Sequence, residues 1–193
     1  MPQGLGAGSP MDQRAIILSL GDAGAAIVAR IGPRLPGNPR LVSCIHDQRL
    51  EQSDVSGDLS QGVLRLRFHH VVPLDETLRG LDLAMVPATR LHVIAALGGA
   101  AGSAWVEHVA RFPFLNLDLQ MVHCVTPFTF EGAKRKRNAD AALAHLRATE
   151  TPLRTYANQD LFVDARHDES FSEAFGRIDT AILDAITRQE QTG

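Results

Sequence analysis

The stretch that decides the fold is "VIAALGGAAGSAWVEHVA", Val93 to Ala110. An apolar run of strand length enters a Gly/Ala/Ser turn, and a helix-period segment leaves it. An earlier stretch repeats the plan: "SLGDAGAAIVARIG", residues 19–32, also ends a strand on glycine and opens into a helix. Helix N-termini offer unpaired N–H groups and a positive dipole end to phosphate, and in open α/β sheets ligands bind beyond the carboxyl ends of the strands. Two such turns point to a nucleotide site. Neither is followed by Gly-Lys-Ser/Thr, so a Walker loop is excluded.

Around these turns, apolar runs alternate with helical segments, which predicts a parallel sheet covered by helices. Strands are expected at 14–20, 40–45, 63–70, 90–97, 117–126 and 152–157. Helices are expected at about 24–31, 102–112, 131–149 and 170–190. In the last, Phe171, Phe175, Ile178, Ile182 and Ile186 recur every three or four residues and form one apolar stripe. The fold class is therefore α/β, a Rossmann-like parallel sheet with helices on both faces. One domain over 13–190 is expected, preceded by a flexible Gly/Pro lead-in over 1–12.

Composition narrows the function classes. The 193 residues are 45% hydrophobic, normal for one globular core, and the formal net charge is −3. A nucleic-acid or anionic-membrane binder usually carries a basic excess, so neither partner is expected. No window reaches the apolar length needed to insert into a bilayer. Cys44 and Cys124 sit in strand-like runs rather than a metal-type pair, which suits a reducing cytoplasm.

The ordered set of motifs resembles the nucleotide-binding half of the tubulin/FtsZ superfamily, with FtsZ the nearer relative. "PFTFEGAKRKRNAD" (127–140) is similar to the Pro-Phe-x-Phe-Glu-Gly-x-x-Arg segment of FtsZ, and "VIAALGGAAGSA" stands where FtsZ has Gly-Gly-Gly-Thr-Gly-Thr-Gly. "LVSCIHDQRL", "YANQDL" and "EAFGRIDTAIL" parallel the second strand, the ribose-side segment and the central helix. The resemblance covers roughly residues 14–190 in order. It implies that Gly21, Asp22 and Gly24 line a first phosphate loop, and Gly98, Gly99, Gly102 and Ser103 a second. Glu131 and Arg135 match a ribose and phosphate-side pair, Asn158 a ribose contact and Phe175 the base-stacking ring. Asp179 falls at the Asn of the family's guanine-reading Asn-Asp and Thr180 at its Asp. GTP or GDP, with Mg²⁺, is the implied cofactor.

The departures weaken that implication. Ala100, Ala101 and Ala104 replace Gly, Thr and Gly, adding methyl groups where a backbone should approach phosphate and removing a hydroxyl. Asp22 opposes an anion: a carboxylate about 4 Å from phosphate is repelled by roughly 4 kcal/mol at an effective dielectric of about 20, unless Mg²⁺ lies between. Ala26 stands where the family places an amide. The chain stops in or just after the central helix, before the family's catalytic loop and second domain. The expectation is a degenerate guanine-nucleotide cleft with little or no GTPase activity alone. Such a domain acts by association, with an FtsZ-type subunit or by self-association. Two alternatives are a Mg²⁺-dependent GTP/GDP switch and a structural protein assembling through its last helix.

Other constellations read more blandly. His69 and His70 are adjacent, so on a strand they point to opposite faces and do not share a metal. "KRKR" (134–137) fans around a helix as a solvated face. Gly-x-Ser-x-Gly is absent around Ser103, which removes a hydrolase reading. Trp105 either fills part of the cleft or packs on the sheet.

Overall fold

A computed structural model of the chain describes residues 15–50, 55–60, 62–68, 74–83, 89–163 and 170–192. The 1–12 lead-in, Arg14 and the His69–His70 pair lie outside the described residues. The elements run β1 (Ile16–Leu20), α1 (Gly21–Ile31), β2 (Arg40–His46), β3 (Val55–Ser60), β4 (Val63–Phe68), α2 (Asp75–Leu83), β5 (Thr89–Ala96), α3 (Ala100–Arg111), β6 (Leu117–Thr126), α4 (Ala133–Ala148), β7 (Leu153–Ala157), α5 (Asp160–Val163) and α6 (Phe171–Thr192).

The strands form one seven-stranded sheet in the order β3-β4-β2-β1-β5-β6-β7. Every neighbouring pair is parallel except β3 with β4, which is antiparallel. β1 lies at the centre and all five of its residues are buried, which is why "IILSL" reads as a continuous run rather than an alternation. One face carries Ile16, Leu18, Leu20, Val93 and Ala95 against Trp105, Val106 and Val109 of α3 and Ala142, Leu143 and Leu146 of α4. The opposite face carries Ile17 and Ile94 against Ile27, Val28 and Ile31 of α1 and Ile178, Ile182 and Ile186 of α6. The Rossmann-like α/β fold with helices on both faces is what the alternation predicts.

Local differences have local causes. The first helix begins at Gly21 rather than near residue 24, because Gly21 adopts φ +77° and turns the chain straight out of β1. β3, "VSGDLS", is a strand that the alternation does not predict: it is polar, contains Gly57 and is only an edge strand held by β4. α2 and the short α5 are likewise additional to the expected helices. Three of the five stripe residues on α6 are covered by the fold. Ile178, Ile182 and Ile186 are at most 7% exposed because the sheet and α1 cover them. That narrows the apolar face left for assembly through the last helix, where Phe175 stays partly exposed. Trp105 is fully buried and meets Phe68 edge-on at 5.5 Å, so it packs on the sheet. Cys44 and Cys124 are free and buried, and burial pushes both thiols up to about 12.

Candidate functional site

The chain runs outward from β1 through β2 to β4 on one side of the sheet, then returns to β5 beside β1 and runs outward through β6 to β7 on the other. The reversal lies between β1 and β5. In doubly wound sheets the crevice at such a switch point, beyond the carboxyl ends of the strands, is where ligands bind. Here it is flanked by the N-termini of α1 and α3, and neither helix has a side-chain cap on its first amides. The two termini touch: a Cβ on Gly21 would lie 3.4 Å from the Gly102 amide nitrogen.

The glycines here do different jobs. Gly21 and Gly98 have φ of +77° and +97° and turn the chain out of β1 and β5. Gly24 and Gly102 permit close packing, since a Cβ would lie 2.9 Å from the Ile94 carbonyl oxygen and 2.4 Å from that of Ala96. Gly99 faces open space, with nothing within 4 Å of the point a Cβ would occupy. Of the five, Gly99 is therefore the one whose missing side chain leaves room for a ligand rather than for the protein.

The second turn is braced from within. Ser103 is 7% exposed and its Oγ accepts from the Gly98 N–H at 2.9 Å, while Asn138 Nδ2 donates to the Gly98 carbonyl at 3.2 Å. The Ser103 hydroxyl is thus partly committed to shaping the loop. Asn138 carries no sequence signal that singles it out. Asp22 is exposed in the first turn of α1, where a carboxylate favours the helix dipole and competes with any incoming anion.

The remaining candidates form the walls. Glu131 accepts from the Phe128 N–H through Oε1 at 2.8 Å and from Arg135 Nη1 through Oε2 at 2.7 Å, so the matched pair meets as an i,i+4 ion pair. Asn158 follows β7, and its Oδ1 is buried with no hydrogen-bond partner among the described residues. Phe175 meets Phe128 edge-on at 5.9 Å, and Phe128 stacks on the exposed Phe130 at 4.8 Å. Asp179 is 4% exposed, and Arg30 Nε and Nη2 donate to its two carboxylate oxygens at 2.5 and 3.0 Å. That hydrogen bonding holds the Arg30 guanidinium above its usual pKa. No motif in the sequence singles out Arg30.

No family model matches the chain. Against curated proteins it is similar to the cell division protein FtsZ of Magnetospirillum gryphiswaldense, 26% identical over 190 residues that cover 93% of this chain and 34% of the relative. Among solved structures it is similar to an FtsZ dimer of M. jannaschii, with a TM-score of 0.64 at 20% identity over 92% of this chain and 55% of that one. The chain is an FtsZ/tubulin-like domain. A further neighbour of this FtsZ/tubulin-like fold is CetZ2 from Haloferax volcanii, a GTPγS-bound protofilament, with a TM-score of 0.59 at 20% identity over 92% of this chain and 58% of that one. The FtsZ/tubulin-like domain thus spans about a third of the curated FtsZ and a little over half of the solved chains. Among the described residues, no helix is long and apolar enough to cross a membrane.

Proposed function

We propose that this domain retains the phosphate cradle of an FtsZ/tubulin-like nucleotide site in weakened form, has little or no GTPase activity alone, and acts by association. The observation that carries the reading is the pair of touching helix N-termini without side-chain caps at the β1/β5 switch point. Backbone amides of Ala100, Ala101 and Gly102 would take phosphate oxygens, with Gly21, Gly98 and Gly99 giving the approach. The unpartnered Asn158 Oδ1 needs a donor, and a ribose hydroxyl supplies one. Glu131 and Arg135 would close the sugar side and Phe175 the base side. Against tight binding stand the Asp22 carboxylate and a Ser103 hydroxyl already engaged with Gly98.

The partner in this reading is an FtsZ-type subunit or a second copy of the chain, since the FtsZ and CetZ2 neighbours are a dimer and a protofilament. Cell division in the cytoplasm is the process it implies. A second reading, a Mg²⁺-dependent GTP/GDP switch, draws on the exposure of Asp22 beside the cradle, where it could hold the metal.

Calorimetric titration of GTP and GDP, with and without Mg²⁺, tests both. Millimolar or weaker binding that Mg²⁺ does not change supports the weakened cradle. Micromolar binding that requires Mg²⁺ and is lost in Gly99→Asp establishes the switch instead. Light scattering by an FtsZ filament in the presence of excess domain tests association: an unchanged trace, together with a monomer in sedimentation at high concentration, rejects it.

A further inference from the structure

Residues of α1 and α6 share one buried cluster on the same face of the sheet. Along α1 come Asp22, then the exposed Ala26, then Arg30, about 12 Å along the helix from Asp22 at 1.5 Å per residue. Along α6 come the partly exposed Phe175 and, one turn on, Asp179. Asp179 is 4% exposed, yet its partner Arg30 keeps a side chain that is 50% exposed. A buried carboxylate is therefore held by a cation whose own side chain stands half in solvent.

A carboxylate takes two coplanar N–H donors in preference to other partners. The guanidinium edge, Nε–H with Nη2–H, is one such fork. Guanine offers another, its ring N1–H beside the exocyclic N2 amine. Adenine does not, because its ring N1 accepts. We propose that Arg30 is an internal occupant of a guanine-edge subsite built on Asp179, and that a guanine base must displace it to be read. The inference rests on the reading of the cleft as a nucleotide site and adds to it the residue that sets its base selectivity. It also gives a reason for weak binding distinct from the phosphate loops: Ala26, one turn above Arg30 on α1, offers no polar group to a base edge.

The test compares the native protein with Arg30→Ala and Arg30→Lys, titrated with GDP, IDP, ADP and inorganic tripolyphosphate, with thermal melts to establish folding. Removing a cation weakens any polyphosphate by simple electrostatics, so a gain confined to one base cannot arise from charge. Arg30→Ala is expected to raise GDP affinity about tenfold or more while leaving ADP and tripolyphosphate no tighter than before. IDP, which lacks the exocyclic amine, gains less. Arg30→Lys keeps the ion pair without the planar fork and falls between, and it serves if the alanine variant leaves Asp179 too poorly satisfied to fold. Tripolyphosphate binding with unchanged GDP affinity in a folded variant overturns the plug and keeps the phosphate cradle. Absence of binding by all four ligands in every variant overturns both.

Discussion

The two ends of the sheet are built from different material. At the carboxyl end, between β1 and β5, the chain presents backbone: glycine turns, uncapped helix amides and an exposed Asp22. At the amino end it presents side chains bonded to backbone amides or to one another. Asp82 of α2 is 3% exposed and accepts from the Leu115, Asn116 and Leu117 amides at 2.8–3.1 Å. Glu190, near the end of α6, meets His92 Nε2 at 3.0 Å and Arg90 at 3.4 Å, tying the helix to the start of β5. Farther along the strands, level with Ser19 of β1, His123 stacks on His92 and shares a hydrogen bond with Tyr156 Oη at 2.9 Å. Backbone groups left open can meet a ligand, whereas buried side chains closed on each other can only hold the fold. The division predicts that changes at the amino end move stability and leave ligand affinity alone, and that most changes at the carboxyl end do the reverse.

The largest effect expected is at Asp82. Replacing it by Ala strands three amides, of which Leu117 is 6% exposed and out of reach of water. A loss of about 3–4 kcal/mol is expected in urea unfolding, since each stranded buried N–H costs about 1–3 kcal/mol and the two nearer solvent recover part of it. Nucleotide affinity of the folded fraction should be unchanged; a change would mean that the two ends are coupled.

Acid probes the buried histidines, of which His92 meets Glu190 at that end. Burial, with His92 and Arg154 nearby, holds His123 down to about 3, and burial also lowers His92 against the opposing pull of Glu190. Because the unfolded chain binds these protons more readily, the stability is complete above a pH of about 6.5 and is lost as pH falls toward 3. For His123 alone the slope is about 1.4 kcal/mol per pH unit, or about 2.7 kcal/mol at pH 4.5. Unfolding free energies measured from pH 7 to 4.5 in the native protein and in His123→Asn should diverge by that slope. Parallel curves would place the proton elsewhere.

Gly102→Ala marks where the division breaks down. Its Cβ would sit 2.4 Å from the Ala96 carbonyl oxygen, so the α3 terminus must move away from β5. A loss of about 2 kcal/mol is expected, together with weaker phosphate binding, because the same backbone both packs and presents its amide. This position shows what the sequence carried and what it withheld. "GGAAGS" marks a turn into a helix, and the strand runs mark the sheet, because glycine and apolar periodicity are local properties. Strand order is not local, so the β1/β5 switch point that selects the cleft could not be read from spacing. Nor could the separate duties of Gly24, Gly98, Gly99 and Gly102, which depend on what stands beside each one: the Ile94 and Ala96 carbonyls at Gly24 and Gly102, Arg135 at Gly98 and open space at Gly99. Asp82 and Arg30 stayed hidden for the same reason: their partners lie 33–35 and 149 residues away.

Gly99 carries the smallest expected effect on stability and the sharpest use of the comparison. It caps α3 with φ −75° and ψ 156°, a conformation any residue adopts, and a Cβ there meets nothing within 4 Å. In Gly99→Ala, the small loss of a good cap is offset by a less flexible unfolded chain, so melting should shift by no more than about 0.5 kcal/mol. If the open space beside Gly99 is where a phosphate approaches, that methyl must still lower GDP affinity, because it stands between the ligand and the α3 amides. Gly102→Ala should lose stability and affinity together, whereas Gly99→Ala should lose affinity alone. Equal GDP binding by native protein and Gly99→Ala would move the ligand away from the α3 terminus and toward α1, with its opposing Asp22, on the other side of the switch point.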